Sequence, residues 1–169
     1  MKVLVAYMSQ TGNTKKVAEA IFGEIQAEKD LREIKELDGL DGYDLCFVGC
    51  PIQFYGPAHP AKVFLEAHAS GKDIALFVTH AAREDSEHLP PWLDACRAAA
   101  AGANIVGFFN CRGELDERVA DFVNFMNKSN DPNLSAWAGM RDETVGQPCA
   151  TRLERARVFA SEIMAKYSG

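Results

Sequence analysis

Six consecutive polar or turn-forming residues, Ser9-Gln10-Thr11-Gly12-Asn13-Thr14, follow directly on the apolar run Val3 to Tyr7. They carry hydroxyls at 9, 11 and 14, side-chain amides at 10 and 13, and one glycine suited to a tight turn. Beyond them Val17, Ala18, Ile21, Phe22 and Ile25 recur at helical spacing, so the stretch reads as the loop of a strand-loop-helix unit. Hydroxyls and free backbone N–H groups at a helix start make a cradle for a phosphate, with the helix dipole behind it. A plain helix cap needs fewer such groups, and a full run of them after a buried strand favours the cradle. No lysine lies inside the loop, which suits an anion held by backbone and hydroxyl donors.

What the loop lacks narrows the ligand. It has no G-x-x-x-x-G-K-[ST], the pattern of a triphosphate-binding P-loop, and no G-x-G-x-x-G, the pattern of a dinucleotide pyrophosphate site. A phosphoryl-accepting receiver domain needs an aspartate ending its third strand, where this chain has Gly49-Cys50. A cysteine phosphatase needs Arg six positions after its cysteine, and here Cys46 is followed by Ile52 and Cys50 by Gly56. The five cysteines, Cys46, Cys50, Cys96, Cys111 and Cys149, are odd in number and scattered. They form no metal pattern and no disulfide framework, and read as reduced thiols of a cytoplasmic protein.

The elements that must position these residues alternate. After the first strand and helix come a weak strand around Leu31 to Leu37, a turn at Gly39 to Gly42, and the nearly continuous apolar run Asp44 to Cys50. Such a run fits a strand buried on both faces. A helix opened by Pro60 stops at Gly71, Ile74 to Thr79 reads as another buried strand, Pro90 and Pro91 open a helix reaching toward Gly102, and Ile105 to Phe109 is the last strand. The order predicts an α/β fold, a mostly parallel sheet with helices on both faces. Leu115, Val119, Phe122, Val123 and Met126 form one helical stripe. Thr151-Arg152-Leu153-Glu154 reads as a capping box opening a final helix with Val158, Phe159, Ile163 and Met164 inward. Residues 1–169 are read as one domain, with an extra helix and a long loop, about 112–150, before the final helix; Trp137 in it reads as a hydrophobic anchor, a partner contact or a lid, and its spacing does not choose among them. Ligands of open parallel sheets sit beyond the carboxyl ends of the strands, so the loops at Ser9 to Thr14, Pro51 to Pro57 and His80 to Glu87 are the candidate site.

These residues carry a family resemblance. Ser9-Gln10-Thr11-Gly12-Asn13-Thr14 resembles the [ST]-x-T-G-x-T phosphate signature of flavodoxins, and Val48-Gly49-Cys50 leading to an aromatic and Gly56 resembles their second flavin loop. The resemblance covers Met1 to about Asn110, and Asp85-Ser86-Glu87-His88 and Phe109-Asn110-Cys111-Arg112-Gly113-Glu114 resemble a compact subfamily of anaerobic microbes. It implies a three-layer sandwich with a five-stranded parallel sheet of order 2-1-3-4-5 and flavin mononucleotide (FMN) between the first and third strands, an inherited placement. Ser9, Gln10, Thr11, Gly12, Asn13 and Thr14 would hold the phosphate. Cys50, Pro51, Ile52, Gln53, Phe54, Tyr55 and Gly56 would line one face of the flavin ring, with Phe54 or Tyr55 covering it. Thr79, His80 and Ala81 would stand in the third loop, where many members carry a second stacking tyrosine, so one ring face is expected to be more open. His80 reads equally as a hydrogen-bonded loop histidine, and Cys50 as a small buried neighbour rather than a reactive thiol.

The function implied is an electron carrier shuttling electrons between redox partners, with no catalytic acid–base pair and no metal. The alternatives are an FMN-dependent NAD(P)H:quinone or small-acceptor reductase and a flavin-free binding or regulatory module. Composition fits: 47% hydrophobic and 25% charged residues with net charge −6 describe a globular, mildly acidic chain. Residues 1–22 and 150–169 each carry +2, leaving −10 on the middle. That balance excludes the basic stripe of nucleic-acid binding. It makes Glu84, Asp85 and Glu87 candidates for an acidic rim that lowers the flavin potential and docks basic redox partners electrostatically. No apolar run approaches the roughly 18 residues of a membrane span. Nothing in the sequence fixes an oligomeric state.

Overall fold

The computed structural model describes residues 1–126 and 140–167. Its centre is a sheet of five parallel strands, β1 (Lys2–Tyr7), β2 (Glu28–Glu33), β3 (Leu45–Gln53), β5 (Asp73–His80) and β6 (Asn104–Arg112), arranged β2-β1-β3-β5-β6. Counting parallel strands alone, this is the expected order 2-1-3-4-5. A sixth strand, β4 (Gly56–Pro57), was not expected, and pairs antiparallel with the end of β3.

Period-two alternation splits each strand between two cores. Val3, Val5, Phe47, Phe77 and Phe109 face one side and pack under α1 (Asn13–Glu24) and the last helix, α6 (Ala150–Lys166). Leu4, Ala6, Cys46, Val48, Ile74 and Leu76 face the other side, under α2 (His59–His68) and α3 (Leu89–Ala99). Because both faces are covered, the central strands read as unbroken apolar runs. Phe47 and Phe77 are 0% exposed, each contributing about 2–3 kcal/mol of burial. Gly49 makes room for one of them, since a Cβ there would collide with the Phe77 ring.

Three expectations are corrected. The second strand spans Glu28–Glu33, and Ile34–Glu36 form a 3-10 turn. This is a half-exposed edge strand, and Ile34 and Leu37, the apolar markers that drew the expected strand C-terminal, pack from the turn into the core under α2. The final helix starts at Ala150, capped by Cys149, whose carbonyl accepts the first helical bond from Leu153 N at 3.0 Å. Thr151 is therefore already inside the helix and forms no capping box; Ala156, Ala160 and Ile163 face inward while Val158 is half-exposed. The stripe in α4 (Glu117–Met126) buries Ala120 and Val123, whereas Val119 and Phe122 are exposed. Within the expected long loop, Met140–Thr144 form a short helix, α5. Trp137 lies outside the described residues.

Candidate functional site

The carboxyl ends of β1, β3 and β5 bring the three candidate loops to one edge of the sheet. The first leaves β1 through Met8, whose N–H donates to Gly49 O at 2.9 Å, and turns into α1 at Gly12. Gly12 has φ +94°, with no atom within 4 Å of where a Cβ would stand. Its left-handed conformation aims the N–H groups of Gly12 and Lys15 at one point, occupied by Ser9 Oγ at 3.1 and 3.3 Å. An oxygen acceptor thus already sits in a backbone nest of the kind that takes phosphate oxygens. Thr11 is exposed at the tip. The Asn13 amide donates to Glu114 O at 2.8 Å, so its side chain is turned toward the loop after β6. Thr14 is buried, its Oγ1 2.8 Å from Thr79 Oγ1.

The second loop is a two-residue hairpin. Ile52 pairs with Pro57 and Gln53 with Gly56, leaving Phe54 and Tyr55 as the turn. Both have positive φ, +49° and +68°. Such a pair of left-handed residues matches the twist of a hairpin, but asparagine and glycine are the residues that normally adopt it. Tyr55 packs on Trp92 in the first turn of α3, with ring centroids 5.3 Å apart, while Phe54 stands 99% exposed. Gln53 Nε2 donates to Gln10 Oε1 at 2.6 Å, joining the first two loops. Pro51 anchors the exit of the hairpin, its carbonyl accepting Ala58 N–H at 3.0 Å. Cys50 is buried; its contact with Cys96 and its burial push the thiol well above the ordinary range, so it is a packing residue and not a thiolate.

The third loop turns inward. Thr79 is buried beside Thr14, and His80 is 4% exposed. His80 Nδ1 donates to Ala82 O at 3.1 Å, and its Nε2 pairs with the Asn110 side chain at 3.0 Å. Burial, only partly opposed by these bonds, pushes its pKa down and keeps the ring neutral at neutral pH. Ala81 O accepts from Arg112 Nε at 2.9 Å. The expected acidic rim of Glu84, Asp85 and Glu87 is corrected at its first two members. Glu84 accepts from Arg152 Nε at 2.9 Å, Arg155 Nη1 at 3.1 Å and Arg112 N at 3.3 Å, and Asp85 pairs with Arg83 at 3.2 Å. Burial raises the Glu84 carboxyl pKa, but the bonds from Arg152 and Arg155 more than reverse this and hold it below the usual range. These two carboxylates therefore present ion pairs rather than bare charge. The first two loops, residues 8–14 and 50–58, contain no charged residue.

The fold thus gathers Ser9, Gln10, Gly12, Thr14, Gln53 and Thr79 into one bonded framework, with Phe54 and Tyr55 on its rim. It turns the side chains of Asn13, Cys50 and His80 into other contacts. Trp92, Arg152 and Arg155 support the loops and were missed by sequence reading. Trp92 alone left a signal there, an aromatic directly after the Pro90-Pro91 helix start. A groove of about 740 Å3 runs along α6 beside Phe109, Val158 and Phe159, and none of the three loops lines it.

Comparison with known proteins agrees with this fold. Residues 4–157 match the family model described as a flavodoxin domain. A flavodoxin-like domain-containing protein of Clostridioides difficile, BilS, is 33% identical over 99% of both chains. A flavoprotein from Lactobacillus acidophilus, solved in complex with FMN, superposes with a TM-score of 0.53 at 26% identity, over 64% of this chain and 92% of that one. An archaeal flavodoxin shares the fold over the full length of both chains, with a TM-score of 0.61 at 18% identity. The family match over most of the chain, the relative at 33% identity and the shared sheet order lead to one conclusion: the chain belongs to the flavodoxin domain family.

Proposed function

We propose that this protein binds FMN at the three loops and carries electrons between redox partners. The observation that carries this reading is the nest at Gly12 and Lys15, already holding an oxygen acceptor, beside a hairpin whose aromatic residues stand exposed. These residues fit the cofactor. Ser9, Gln10, Thr11, Gly12, Asn13 and Thr14 bound the phosphate end through backbone N–H groups and hydroxyls. Cys50 to Gly56 would form the ring wall and His80 and Ala81 the third side, while Thr79 would act from beneath the first loop through Thr14. With Tyr55 held by Trp92, Phe54 is the aromatic left to cover the ring.

Bound FMN supplies the redox chemistry, and the protein supplies position and electrostatics. The Gln10–Gln53 bond sets the first loop against the hairpin. The ion pairs at Glu84 and Asp85 hold the third loop and spare the flavin their full negative field. Electrostatic steering of a redox protein then comes from the overall charge of −6 more than from the rim. The protein works in the cytoplasm, and among the described residues no helix is long and apolar enough to cross a membrane.

One observation favours a second reading, an FMN-dependent reductase of NAD(P)H and a quinone or other small acceptor. Thr79 to Arg83 contain no aromatic residue able to cover the second ring face. Two measurements decide. Titration with FMN, followed by flavin fluorescence and visible absorbance, is expected to give a stoichiometric complex; its absence refutes the flavin reading and leaves a binding module. Steady-state oxidation of NADPH with a quinone is expected to be negligible without an added reductase, and robust turnover would assign the reductase.

A further inference from the structure

Thr14 and Thr79 meet beneath the first loop with their Oγ1 atoms 2.8 Å apart, each residue only 1% exposed. Thr14 lies in the first turn of α1. Thr79 is the penultimate residue of β5, in register with Pro51 of β3 on one side and Cys111 of β6 on the other. It therefore stands at the junction of all three loops, 65 residues from its partner in the chain. A hydroxyl has one proton and two lone pairs, so a bonded pair of hydroxyls spends one proton and leaves the other to point elsewhere.

We infer that Thr79 is a positioning residue that donates to Thr14 Oγ1, turning the Thr14 proton toward the phosphate position and making the site select phosphorylated over unphosphorylated flavin. The inference rests on the flavin reading above. In the opposite arrangement Thr14 spends its proton on Thr79 and faces a bound anion with lone pairs. That arrangement is repulsive, so an anion in the nest fixes the direction of the bond. A donor behind Thr14 also polarises it, because linked hydrogen bonds strengthen one another where water is excluded. The need is greatest here, since the loop itself contains no cationic side chain to neutralise a phosphate.

The test compares the dissociation constants of FMN and riboflavin for the full chain freed of flavin, with Thr79→Val and Thr79→Ser beside the wild type. Wild type is expected to prefer FMN. Thr79→Val keeps the side-chain shape and is expected to narrow that preference about threefold, because Thr14 keeps its proton but loses the donor that orients and polarises it, while riboflavin affinity stays unchanged. Thr79→Ser retains the hydroxyl and is expected to retain the preference. An unchanged ratio in Thr79→Val, or equal losses for both flavins, overturns the inference. Should Thr79→Val not fold, Thr79→Ser still decides, because loss of the preference there overturns it too. Wild type binding both flavins equally defeats this inference alone; wild type binding neither defeats the flavin reading with it.

Discussion

Phe54→Asn should make the flavin-free protein more stable, although it removes a large aromatic side chain. Phe54 is 99% exposed and so contributes no burial, while its φ of +49° sets an L-residue with a bulky side chain in the left-handed region. That conformation costs roughly 1–2 kcal/mol per residue, and asparagine tolerates it with much less strain. The expected gain is about 1 kcal/mol, which for a chain of this size raises Tm by about 2–4 °C. Tyr55→Gly at φ +68° relieves similar strain but forfeits the contact with Trp92, itself worth about 0.5–1.5 kcal/mol, and should come out near zero. Urea denaturation of both variants against wild type measures the difference directly. The same Phe54→Asn protein should bind FMN several-fold more weakly, the mark of strain kept at a functional position. A Phe54→Asn variant that is less stable than wild type would refute the strain argument. One that is more stable and binds FMN as tightly would remove Phe54 from the ring wall.

Glu84→Gln should destabilise the protein at neutral pH by about 1 kcal/mol, after allowance for the partial exposure of the carboxylate. Because the folded carboxyl pKa is depressed, that stabilisation exists above the unfolded value near 4.3 and is lost as pH falls through the folded one. Wild-type and variant urea midpoints should therefore converge in acid, and a constant gap would contradict the ion-pair account. His80 runs with the same sign by a different cause. Its pKa is depressed, so the unfolded chain takes up a proton first, and stability falls as pH drops from about 6.5 toward the folded value. Its imidazole NMR shifts should stay those of the neutral ring below that pH, and an ordinary titration would show that the ring is not buried. Gly49→Ala drives a Cβ into the Phe77 ring between two central strands and should cost about 3 kcal/mol or more in chemical denaturation. A neutral result would mean that β3 and Phe77 do not pack as described.

The sheet was legible because its central strands are buried on both faces, so Val3 to Ala6 and Leu45 to Val48 announce themselves without any partner. β2 was misplaced because an edge strand needs little apolar surface: Glu28–Glu33 contains a single large apolar residue, Leu31, and the apolar signal lay in the turn that follows. The start of α6 was misread because the Thr151 pattern is local, whereas the helix begins where Cys149 offers the first carbonyl. The turn into α1 was legible from spacing, since a glycine between hydroxyls after a strand encodes the left-handed conformation found at Gly12. The charge state of the rim was not. Glu84 finds Arg152 and Arg155, whose separations of 68 and 71 residues no local pattern can register. The same is true of Trp92 under Tyr55, a contact that only the crossover from β3 to α3 creates.

The bonds that complete the first loop also fix when it can exist. Its residues emerge before their partners do: Thr14 waits for one 65 positions later, and Asn13 for one 101 positions later. The helix that follows the loop shares its core with α6, whose inward residues Ala156, Ala160 and Ile163 are made more than 130 positions after it begins. Loop closure must be achieved before such distant contacts repay it, which slows the final step of folding. A nascent chain halted before β6 thus has the whole phosphate signature in its sequence but neither the Asn13 anchor nor the covering helix. Cofactor capture should therefore wait for α6, and ribosome-bound chains of increasing length should acquire flavin only once that helix has emerged.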